Sequence, residues 1–111
     1  MKPLSVTDPN MLRDRLVALG EQWADLDAAA NLLEEQKKTL LASLTADAEG
    51  NSMALRETIA LATQTFGNHI EAMVEARRLA NRARVNYNSA QVWCDLVRSI
   101  ESTRRAEMTM R

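Results

Sequence analysis

Apolar residues recur along the first half of the chain with an unbroken four-three spacing. They fall at Leu12, Leu16, Leu19, Trp23, Leu26, Ala30, Leu33, Lys37, Leu40 and Leu44. Eight of these ten positions carry large apolar side chains, and Ala30 and Lys37 are the interruptions. A seven-residue period of this kind keeps one stripe of an α-helix facing a partner helix, so it predicts a coiled-coil or long bundle helix. Asp8-Pro9 supplies its start: the carboxylate can accept from free backbone N–H groups, and proline suits the first helical position. One helix over residues 8–47 would be about 60 Å long. Residues 1–7 read as a short flexible lead.

The run Asp47-Ala48-Glu49-Gly50-Asn51-Ser52 closes this helix, with Gly50 the expected left-handed residue after its end. A short helix is expected over 53–64, capped by Ser52 or Asn51, with Leu55, Ile59, Ala62 and Phe66 on one stripe. A second break is expected at Thr63-Gln64-Thr65-Phe66-Gly67-Asn68. There Asn68 and Glu71 have the spacing of a capping box, predicting a third helix over 69–108. Its seam reads Met73, Ala76, Ala80, Ala83, Tyr87, Ala90, Cys94 and Val97, widened by Ile70, Val74, Trp93, Leu96 and Ile100.

Folding the two long helices back with Leu44 beside Ile70 brings Trp23 to Ala90 and its neighbours. The same pairing brings Leu33 and Leu40 to the Ala76, Ala80 and Ala83 region. Large residues then face small ones, as close packing requires. The expected fold is therefore all-α: a single helical domain over 1–111, built as a long antiparallel, coiled-coil-like hairpin with a short intervening helix. A parallel arrangement, with the short helix as a full return leg, also fits the pattern.

Composition narrows the alternatives. The chain has 111 residues, three glycines and two prolines, too little turn material for a β-sandwich or barrel. One cysteine excludes an intrachain disulfide framework and a Cys-rich zinc module. No apolar run approaches the length of a membrane span, and Met1-Lys2-Pro3-Leu4-Ser5 carries no apolar core of a secretory signal, so a cytoplasmic setting is expected. The net charge of −1 hides a division. Residues 1–76 hold six Lys/Arg and twelve Asp/Glu, whereas residues 77–111 hold eight Arg and three Asp/Glu. An acidic first helix against a basic third one favours the hairpin and helps set its register.

Catalysis needs groups that converge, and few can. His69 and Cys94 lie 25 residues apart on one predicted helix, about 37 Å along its axis. His69 reads as an exposed first-turn residue, and Cys94 as a small apolar member of the seam. Glu71 and Glu75 could line one helix face, but no second acidic pair has the spacing of a helical Mg²⁺ site. Glu34 reads as an ion pair with Lys38 one turn on. No phosphate-binding glycine loop, dinucleotide fingerprint or Ser/His/Asp set is present, so neither enzyme activity nor a cofactor or metal is expected. The dense polar feature is basic: Arg77, Arg78, Arg82 and Arg84, followed by Arg104 and Arg105. These arginines are the candidate anion- or partner-binding residues. They either pair with acidic helix one or contact phosphate.

The stretch Glu75-Ala76-Arg77-Arg78-Leu79-Ala80-Asn81-Arg82-Ala83-Arg84-Val85-Asn86-Tyr87, with Ser102-Thr103-Arg104-Arg105-Ala106-Glu107-Met108, resembles the C-terminal part of small helical proteins encoded in bacteriophages and prophages. The resemblance covers about the last third of the chain. It implies an origin and a helical fold, and no catalytic residue. Val17, Leu32, Leu41, Leu79 and Trp93 lie beside the seam, and leaving them wet would expose an unusually large apolar strip. The expectation is a self-associating, non-enzymatic scaffold or adaptor, a homodimer or higher oligomer with a further protein partner. The rival is a nucleic-acid-associated accessory factor in phage recombination or replication.

Overall fold

A computed structural model describes residues 8–110, and the expected flexible lead lies outside them. Three helices follow in order: α1 (Pro9–Asp47), α2 (Met53–Leu61) and α3 (Gln64–Thr109). No strand occurs among the described residues. α1 starts as its sequence dictates. Asp8 Oδ1 accepts from the backbone N–H groups of Asn10 at 3.1 Å and Met11 at 3.2 Å. Ser52 caps α2 in the same way, its Oγ accepting from Leu55 N at 3.1 Å.

The reversal between the long helices differs from expectation. α2 ends at Leu61, short of residue 64, and α3 begins at Gln64 instead of residue 69. Thr63 is the reason. Its Oγ1 donates to the Ala60 carbonyl at 2.8 Å and accepts from Phe66 N at 3.2 Å, closing one helix and opening the next. Asn68 is no cap: it sits inside α3 and accepts from Gln64 Nε2. Gly50 also departs from expectation, since no described residue has a positive φ. It is needed for space. A Cβ there would stand 3.2 Å from the Leu55 side chain at the start of α2, and the Gly50 carbonyl accepts from Arg56 Nε at 3.0 Å.

Contacts divide the chain into two compact units. Among the described residues, unit 1 comprises 8–23 and 82–110, and unit 2 comprises Ala24–Asn81. In each, α1 and α3 run antiparallel with the expected seams inward. Unit 1 buries Leu12, Ala83 and Val97, and half-buries Leu16, Leu19, Trp23, Tyr87, Ala90 and Cys94. Trp23 and Tyr87 pack as tilted rings with centroids 5.5 Å apart, a favoured aromatic geometry. Unit 2 buries Ala30, Ala60, Phe66 and Ala80.

In unit 1, Trp23 meets Tyr87, the seam neighbour of Ala90. In unit 2 the register is displaced: the Leu33 carbonyl lies beside His69, about two turns short of Ala76, the nearest residue of the expected Ala76–Ala83 region. The cause is the earlier start of α3: helical residues 64–68 slide its heptads past those of α1. The stripe of α2 is corrected as well. Ala60 and Phe66 are buried, but Leu55 and Ile59 remain 47 % and 40 % exposed. Val74, Trp93, Leu96 and Ile100 do not widen the buried seam of α3 and are exposed.

Candidate interaction surface

The arginines of α3 separate into two kinds. Arg77 reaches across to α1 with every arm of its guanidinium. Nη1 donates to Asp27 Oδ1 at 2.8 Å, Nη2 to Asn31 Oδ1 at 2.7 Å, and Nε to Glu34 Oε1 at 2.9 Å. The three acceptors are spaced four and three residues apart, so they form one edge of α1 beside its seam. Charge-assisted bonds to a planar fork are directional as well as attractive. The Glu34 hydrogen bond, and then that of Asp27, raises the Arg77 pKa above its ordinary value. Glu34 therefore serves Arg77 and not the expected Lys38.

Arg78 turns to its own helix, donating from Nε to Glu75 Oε2 at 2.9 Å, and this contact raises its pKa. The other candidates, Arg82, Arg84, Arg104 and Arg105, are exposed and make no ion pair among the described residues. Arg77 and Arg78 belong to unit 2, whereas those four belong to unit 1.

His69 also departs from expectation. It is half-buried in the second turn of α3, and its Nε2 lies 2.8 Å from the Leu33 carbonyl oxygen. A carbonyl only accepts, so Nε2 carries the proton and donates. Glu75, the second member of the acidic pair on α3, is engaged by Arg78. No cluster of three His, Cys, Asp or Glu side chains able to hold a metal occurs among the described residues. No helix there is long and apolar enough to cross a membrane.

Unit 1 carries an open groove of about 370 Å³ between α1 and α3. Leu12, Leu19, Ala90 and Cys94 form an apolar floor, Trp93 one wall, and Arg15, Asn86 and Ser89 a polar rim. Leu96 and Ile100 continue from Trp93 at helical spacing and are 49 % and 40 % exposed. The heptads alone do not reveal this surface. They place Trp93 beside the seam, but whether it turns inward depends on register. In unit 2, a second groove of about 570 Å³ lies where Leu41 and Thr45 of α1 meet Met53 and Glu57 of α2. No protein-family model, curated protein or solved structure matches the chain.

Proposed function

We propose that the chain is a non-enzymatic helical scaffold or adaptor that works through protein–protein contacts, self-association among them. Its setting is the cytoplasm of a phage-infected or prophage-bearing cell, in keeping with the Arg-rich stretch of α3. One observation carries the reading: Trp93, Leu96 and Ile100 form a large apolar stripe on α3 that unit 1 leaves exposed beside an apolar groove. Contiguous apolar surface rimmed by polar groups is costly in water and is characteristic of association sites. Sedimentation tests it. The protein should be a dimer or larger at micromolar concentration, and Leu96→Glu with Ile100→Glu should yield a helical monomer. A monomeric parent protein would overturn the reading.

The second reading, a nucleic-acid accessory factor, draws on Arg82, Arg84, Arg104 and Arg105, exposed and without ion pairs among the described residues. Phosphate contacts would make binding strongly dependent on salt. The division of the arginines favours the scaffold, because Arg77 and Arg78 are already committed to carboxylates.

A further inference from the structure

Resting on the self-association reading, we infer that the groove of unit 1 is the docking site for α2 of a second copy of this chain. α2 has the pattern of an amphipathic helix, yet its stripe is only partly covered: Leu55, which packs on Gly50, and Ile59 one turn on both remain exposed. Two large apolar side chains at that spacing are the anchors with which a helix seats in an apolar groove. The groove supplies the matching surface, with Leu12, Leu19 and Ala90 as floor and Trp93 as wall. Aromatic walls of this kind tend to dominate binding energy when they are desolvated.

Charge selects this occupant over a second unit 1. Among the described residues, unit 1 holds seven Arg and six Asp/Glu, a net charge of +1, whereas unit 2 holds five Lys/Arg and nine Asp/Glu, a net charge of −4. Groove against groove would bring together two rims whose one charged lining residue is Arg15, like charge on like. Residues 47–61 carry Asp47, Glu49 and Glu57 against Arg56, a net charge of −2. A negative segment thus meets a rim whose charged lining residue is Arg15. Complementary charge of this sort suppresses wrong pairings and fixes register more than it adds affinity.

Photo-cross-linking from the groove edge tests the inference. Leu96 is replaced by p-benzoylphenylalanine in a mixture of ¹⁴N- and ¹⁵N-labelled protein. Mixed-isotope cross-links should fall within residues 47–61. Mixed-isotope links to residues 82–110, or to unit 2 outside 47–61, would overturn α2 as the occupant while leaving self-association standing. Links confined to single-isotope chains would overturn it too. A second variant needs no cross-linker: Leu55→Asp with Ile59→Asp should raise the dimer dissociation constant by roughly tenfold or more with helicity retained. Unchanged dimer affinity in that variant would again overturn the docking alone, whereas a parent protein that never dimerises would overturn both readings.

Discussion

The ring of Tyr87 lies directly over Gly20, so a Cβ at position 20 would stand 3.2 Å from Tyr87 Cε2. Tyr87 also packs against Trp23, one turn on along α1, so a shift of its ring would disturb that contact. Gly67 is the contrasting case: it lies inside α3 with open space where its Cβ would be. Replacing a helical glycine by alanine gains about 0.5–1 kcal/mol when nothing opposes it. Gly67→Ala should therefore stabilise by that amount in urea titrations, and Gly20→Ala should gain less or destabilise. Equal gains at both positions would show that Tyr87 moves freely.

Ala80 is 1 % exposed, in the seam of unit 2. A leucine there overfills a well-packed site and should cost about 1–3 kcal/mol. Leucine at exposed Gln36 should leave stability nearly unchanged. Thermal melts of the two variants decide the point, since equal melting temperatures would place Ala80 outside the contact.

Much of this was legible in the chain beforehand, and the exceptions share a cause. The four-three spacing marked the residues that turn inward, down to half-buried Met73 and Ala76. Asp8 and Ser52 announced their helix starts because a short polar side chain there has backbone donors within reach. Thr63 falls in the expected break, but Asn68 with Glu71 is the stronger local signal for a helix start, and local capping energies of about 1 kcal/mol yield to the burial of Phe66. The register then follows from that earlier start, which heptads cannot report. The Arg77 partners lay in view as Asp27, Asn31 and Glu34 along one helix edge, but choosing them over Lys38 for Glu34 required the register.

Arg77→Met should lower the melting temperature, and Arg77→Glu should lower it further by placing like charges together. Adding Glu34→Arg to Arg77→Glu should recover part of the loss. The pH dependence has a definite sign. A pKa raised in the folded chain gives stabilisation that is complete below the unfolded value and fades only as pH rises through the higher folded one. The difference in melting temperature between parent and Arg77→Met should thus stay constant from about pH 7 to 9. A difference that vanishes across this window would refute the assignment.

Filter binding of the unmodified protein to single- and double-stranded DNA separates the two functional readings. The scaffold reading expects no tight retention at low or moderate salt. Retention whose logarithmic salt slope reached about −0.7 to −0.9 per phosphate, and which Arg82→Glu with Arg84→Glu abolished, would establish the nucleic-acid reading instead.

A stripe that repeats every seven residues is nearly blind to its own position, because sliding one helix past the other by a heptad returns apolar side chains to apolar neighbours. The acceptors of Arg77 repeat only in part, since Asp27 and Glu34 are one heptad apart but Asn31 has no counterpart. A heptad slip would offer the guanidinium Glu34 with Lys38 and Leu41, or Asp27 with Gly20 and Ala24, so one acceptor would remain where three stand now. Cohesion between the helices thus resides in carbon, whereas the information that selects one alignment from its near-equivalents resides in a few oxygen and nitrogen atoms at the edge.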